Sequence, residues 1–124
     1  MMQSLDEFNK IFTAGSNAHK MGLKLRGLVA SNFENIDETI SGGAKVKLAL
    51  YSRNGTNNVL CGIQQGSNDS CMLYVHHIPE LEHDRLKFSG KGKHAKRIKF
   101  TDISQISTED ITWLLGKVRE NAPY

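Results

Sequence analysis

The chain has 124 residues, 39% of them hydrophobic and 23% charged, with a net charge of +3. That balance fits one globular domain, residues 1–124, and excludes a disordered or collagen-like chain. No apolar run approaches the ~20 residues of a membrane span, and Met1-Met2-Gln3-Ser4-Leu5-Asp6-Glu7 lacks the basic start and apolar stretch of a secretory signal, so a cytoplasmic setting is expected.

Ser4-Leu5-Asp6-Glu7 has the form of a capping box, in which a hydroxyl and a carboxylate satisfy each other's main-chain amides. Leu5, Phe8 and Phe12 follow at helical spacing, and Gly15 supplies a left-handed stop. Ser16 or Asn17 caps a second helix, whose apolar stripe runs through Ala18, Met21, Leu25, Leu28, Val29, Phe33, Ile36 and Ile40. Gly22 and Gly27 each weaken it by roughly 1 kcal/mol relative to Ala. Its charges oppose the helix dipole, with His19, Lys20, Lys24 and Arg26 early and Glu34, Asp37 and Glu38 late. A break near Ser31-Asn32 is expected, followed by a second short helical turn through Ile40.

After Ser41-Gly42-Gly43 the period changes. Val46, Leu48 and Leu50 alternate with Lys45, Lys47 and Tyr51, the pattern of a half-buried strand. Asn54-Gly55 marks a turn. Val59, Cys61 and Ile63 form the inner face of a second strand, and Cys71, Leu73 and Val75 that of a third, with Gly66-Ser67-Asn68-Asp69 between them. Pairing Gln64 with Asn68 would set Cys61 opposite Cys71. Pro79 closes the third strand, and 80–94 form a long connection. Arg97 to Phe100 gives a short fourth strand with Ile98 and Phe100 inward. Ser107-Thr108-Glu109-Asp110 starts the last helix, with Ile111, Leu114, Leu115, Val118 and Ala122 on its buried stripe. The order predicts an α+β fold, a three- to four-stranded antiparallel sheet with the N- and C-terminal helices on one face.

Charge is unevenly spread. Arg85, Lys87, Lys91, Lys93, Lys96, Arg97 and Lys99 place seven cations in fifteen residues without an acid, while the other nine Lys and Arg face all thirteen Asp and Glu. Two glycines inside this segment free the backbone to aim amides at one point, so Ser89, Gly90, Lys91, Gly92, Lys93, His94, Lys96 and Arg97 form a candidate site for an anionic small molecule or an acidic protein. The segment is not a P-loop, lacking both the spacing and the Ser or Thr after Lys. Nucleic acid is disfavoured: the aromatics near the cations, Phe88 and Phe100, are expected inward, and no helix-turn-helix or zinc module is visible.

His76-His77-Ile78-Pro79-Glu80-Leu81-Glu82-His83-Asp84 is rich in metal-type donors, of which His77, Glu80, His83 and Asp84 are the candidate ligands. Adjacent residues on a strand face opposite ways, so His76 and His77 should not share a site. Cys61 and Cys71 are expected as buried free thiols. A nucleophile elbow is absent, so an enzyme reading requires a pocket that sequence cannot reveal. A non-enzymatic binding or carrier domain is expected, monomer or homodimer, with no cofactor firmly indicated.

Leu86-Lys87-Phe88-Ser89-Gly90-Lys91-Gly92-Lys93-His94-Ala95-Lys96-Arg97-Ile98-Lys99 resembles the Gly-x-Gly-Lys loop and following basic strand of the bacterial YdhG-like family, domain of unknown function 1801. Leu25-Arg26-Gly27-Leu28-Val29, the segment Ile36 to Gly43, Cys61-Gly62-Ile63 and Tyr74-Val75 extend the resemblance over about residues 18–121. It implies an α+β fold and, through relatives described as frataxin-like, an intracellular iron chaperone with iron as cargo. The chain departs from the family at Gly42, where an aromatic is common, near Ala44, where a proline is, and in having a basic rather than an acidic main patch.

Overall fold

In the computed structural model the described residues are 4–42, 47–55, 57–78, 86–89 and 95–124. Ser4 caps α1 (Leu5–Asn9), its Oγ accepting from the amide of Glu7 at 3.3 Å. The Glu7 carboxylate instead accepts from Lys10 Nζ at 2.9 Å. Gly15 takes φ +73°, which ends the turn after α1.

Helix α2 (Asn17–Asn32) is capped twice at its start. Ser16 Oγ accepts from the His19 amide at 3.1 Å. Asp69, distant in the chain, accepts from the amides of Ala18 at 2.9 Å and Asn17 at 3.2 Å. A carboxylate at this end also offsets the cations of the first turn. Ala18, Met21, Gly22, Leu25 and Val29 form its buried side.

The helix stops where expected, with Phe33 as its C-cap, but no second helical turn follows. Asn35 at φ +53° redirects the chain into a strand, β1 (Asp37–Gly42). The sheet then adds β2 (Lys47–Ser52), β3 (Val59–Gln65), β4 (Cys71–His76), β5 (Phe88–Ser89) and β6 (Ala95–Phe100). It therefore has six strands rather than three or four, in the order β1-β2-β3-β4-β6-β5, every neighbouring pair antiparallel. The two strands missing from the sequence reading are the two edges.

The physical reason for missing β1 is a buried charge. Its inward positions are Glu38, opposite Tyr51, and Ile40, opposite Ala49. Glu38 is 2% exposed. It accepts from Arg26 Nε at 2.8 Å, Arg26 Nη2 at 3.0 Å and the Tyr51 hydroxyl at 2.6 Å. A bidentate guanidinium from α2 thus stands where an apolar residue would have marked the strand. The guanidinium carbon also lies 5.2 Å from the centre of the Phe8 ring. Strand β5, only two residues long, is too short to carry a periodic signal.

The β3–β4 hairpin also differs in register. Gln64 pairs with Met72 and Cys61 with Val75, not Cys71. The displacement is even in residues, so every side chain keeps its expected face. The turn itself is type I′, with Asn68 at φ +55° and Asp69 at φ +59°, and with the Ser70 amide donating to the Ser67 carbonyl at 3.2 Å.

A short 3-10 turn (Ile103–Gln105) leads to α3 (Thr108–Asn121), whose Ser107 cap accepts from the Asp110 amide at 3.3 Å. Ile111, Leu114, Leu115 and Val118 are buried as the stripe predicts. Helices α2 and α3 pack on each other and on the central strands. The core lies between them and Ala49, Tyr51, Cys61, Ile63, Leu73, Val75, Ile98 and Phe100, the helix-facing side of the sheet.

Candidate functional site

Alternation along each strand fixes what the opposite face of the sheet carries. Directly paired residues share a face. One row across it reads Leu50, Gly62, Tyr74, Arg97 and Ser89. The next reads Leu48, Gln64, Met72 and Lys99. Arg97, Lys99 and Ser89 are exposed, while Leu48, Leu50, Gln64, Met72 and Tyr74 are half-buried.

These residues are tied to one another. The Tyr74 hydroxyl donates to Gln64 Oε1 at 2.8 Å. That leaves the Gln64 NH2 as the end able to donate to a ligand. Arg97 Nε donates to Ser89 Oγ at 3.3 Å, and Ser89 Oγ donates to the Arg97 carbonyl at 3.4 Å. A hollow of about 380 Å³ lies among Gln64, Gln65, Gly66, Ser67, Met72, Tyr74, Ser89, Arg97 and Lys99.

A second hollow, of about 480 Å³, adjoins it through Gln64, Gln65 and Gly66. It is walled by Lys10, Ile11, Phe12, Thr13 and Lys47, where the turn between α1 and α2 meets the end of β3. Gln65 holds that turn, accepting from the Thr13 amide at 2.8 Å. Among the described residues lining the two hollows there are four cations and no acid. Lys10 also pairs with Glu7 at 2.9 Å. On the helix side, Lys99 borders a further hollow of about 340 Å³ that includes Asp110.

Of the residues the sequence singled out for an anion, Ser89 and Arg97 come together on the open face. Lys96 does not join them: it pairs with Val75 and shares that residue's helix-facing side. Gly90, Lys91, Gly92, Lys93 and His94 lie outside the described residues. Gln64, Met72, Tyr74 and Lys99 were not singled out. Their signal was present as the outward phase of strands whose inward phase had been read, and it needed the strand order to become a site.

The candidate metal ligands fare differently. Glu80, His83 and Asp84 lie outside the described residues. His77 is described, at φ +59°, which breaks the alternation and brings its ring centre to 6.1 Å from that of His76. The expected divergence of these two rings is therefore not seen. His77 Nε2 is hydrogen-bonded to the Tyr124 hydroxyl, whose single proton is donated to the Val59 carbonyl at 2.7 Å. With that proton donated to the Val59 carbonyl, Nε2 donates to the tyrosine oxygen and Nδ1 is the ring nitrogen left as acceptor. Among the described residues no three His, Cys, Asp or Glu side chains cluster as a metal site.

Cys61 and Cys71 are buried free thiols on neighbouring strands. Cys71 pairs with Gln65, four residues along β3 from Cys61, which separates the two by about 13 Å. Burial pushes both thiols up, Cys71 to about 12. Neither is a redox partner of the other. No helix among the described residues is long and apolar enough to cross a membrane. Comparison with protein-family models, with curated proteins and with solved structures finds no match.

Proposed function

We propose that this chain is a cytoplasmic, non-enzymatic binding protein that holds an anionic ligand on the open face of its sheet. The observation that carries this reading is the row in which Arg97, steadied by Ser89, stands beside Tyr74 with Lys99 one rung away, in a hollow with no acid among its described lining residues. A carboxylate or phosphate there gains charge-assisted donors from a guanidinium, an ammonium and the Gln64 amide. The hollow's size suits a small ligand or a short segment of a partner. The resemblance to the YdhG-like family is compatible with a carrier of this kind. Its iron-chaperone branch draws no comparable support from the described residues.

Titration calorimetry with inorganic triphosphate and with a Glu-rich peptide tests the reading. The Arg97→Ala/Lys99→Ala variant should lose at least tenfold in affinity for both, while Lys117→Ala, on α3 and outside the hollow's lining, should not. Equal affinity of the double variant and the parent chain, or no binding by the parent, overturns it.

A further inference from the structure

We infer that the anion held on the open face is the phosphate backbone of single-stranded nucleic acid, with a base stacked on Tyr74; this rests on the anion site proposed above. Nucleic acid was disfavoured from the sequence because Phe88 and Phe100 were the aromatics near the cations. Both do turn to the helix side, Phe100 paired with Cys71 and Phe88 with Ile98. The sheet, however, sets a third aromatic against the cations. Tyr74 precedes Arg97 by 23 residues in the chain yet pairs with it directly.

Three features favour a nucleic-acid strand over an acidic peptide. First, the half-buried phenol ring sits between the cationic row and the sheet centre, its hydroxyl anchored on Gln64. An acidic side chain has no use for such a ring, whereas every base has a face to stack on it. Second, Gln64 turns an amide NH2 outward beside that ring, with no hydrogen-bond partner among the described residues, and so can donate to a base carbonyl or ring nitrogen. Third, the cations are spread rather than bunched. From Arg97 and Lys99 on the open face the path passes Gln64–Gly66 at the end of β3. It then rounds the end of the sheet to Lys47, which shares the helix-facing phase of Ala49 and Tyr51, and to Lys10 beside the turn after α1. Charge repeated along a track suits a chain of phosphates more than a single anion. A duplex is not the expected form, because paired bases offer no free face to the tyrosine.

Fluorescence anisotropy with fluorescein-labelled (dT)12 and (rU)12 provides the test, alongside a length-matched Glu-rich peptide, duplex DNA and free nucleoside triphosphate. The single strands should bind tightest and weaken steeply between roughly 50 and 200 mM salt. Arg97→Ala should lower the slope of log affinity against log salt by about one. Tyr74→Ile keeps a strand-forming side chain but removes the ring, and should weaken the single strands by about 5- to 100-fold at unchanged salt slope. Thermal melts identify unfolded variants, and Tyr74→Phe, which keeps the ring, should retain most of the binding.

Single strands binding no better than the peptide or duplex would overturn the inference. So would Tyr74→Ile binding them like the parent chain. If triphosphate and the peptide still depend on Arg97 and Lys99 in either case, the anion site stands without it. If no probe binds, both fall.

Discussion

Replacing Glu38 by Ala should be among the most damaging single changes in this chain. Its carboxylate side chain is fully buried and meets Arg26 Nε, Arg26 Nη2 and the Tyr51 hydroxyl at 2.8, 3.0 and 2.6 Å. Removing one partner of a buried pair typically costs about 3–5 kcal/mol, since the remaining charge keeps its desolvation penalty without its compensation. Arg26 is 17% exposed, so some water reaches it, and its contact with the Phe8 ring survives. The lower end, about 3 kcal/mol, is therefore the expectation. An unfolding entropy of roughly 2.1 cal/mol/K per residue gives about 0.26 kcal/mol/K for a chain this long. The melting temperature should then drop by about 12 °C. Thermal unfolding followed by circular dichroism measures it directly. The charge-free replacement of the whole network, Arg26→Met with Glu38→Leu and Tyr51→Phe, should recover most of the loss, because exchanging buried partners together for apolar groups is close to neutral. A Glu38→Ala protein melting within about 3 °C of the parent would refute the reasoning, and would mean the ion pair contributes little beyond filling space.

The two glycines of α2 should respond oppositely to Ala. At Gly22 a Cβ would lie 2.4 Å from the tip of the Phe12 ring, so overpacking of about 1–3 kcal/mol should outweigh the gain in helix propensity. At Gly27 nothing lies within 4 Å, and Gly27→Ala should stabilise by up to about 1 kcal/mol in urea titrations. Asp69→Ala removes the acceptor for the first amides of α2 and places a Cβ residue at φ +59° without a local polar group, costing about 1–2 kcal/mol. Asp69→Asn, which tolerates that conformation, should cost less by the same measurement. The buried thiols set a pH dependence. Burial raises the Cys71 pKa from the ordinary 9.0 to about 12, so the unfolded chain ionises first as pH rises. Stability from this group is intact below about pH 9 and falls by up to ~1.4 kcal/mol per pH unit above it. Burial shifts Cys61 and Tyr51 in the same direction. Denaturant midpoints should drop between about pH 7.5 and pH 10.5, and less so in Cys71→Ala.

What could be read from the chain alone divides along a physical line. The central strands and α3 were legible because their inward positions are apolar at a regular period: Cys61 and Ile63, Leu73 and Val75, Ile111 and Leu115. β1 was not, because Glu38 occupies an inward position by virtue of a partner 12 residues earlier, on another element. Faces survived the register error between β3 and β4, since the actual pairing differs by an even step. The site was half legible. Arg97 and Ser89 belong to the basic segment that charge counting exposes, whereas Tyr74 and Gln64 enter only through strand neighbours that composition cannot reveal.

Asp69 has a consequence for the order in which the chain acquires structure. As an isolated peptide, 17–32 should hold little helix, for its cations crowd the positive end and two glycines loosen the middle. The acceptor for its leading amides arrives from a hairpin tip some fifty positions downstream. Helicity in that segment should therefore be a late event, appearing only after the β3–β4 pair has closed, and amide exchange there should report on the hairpin as much as on the helix itself.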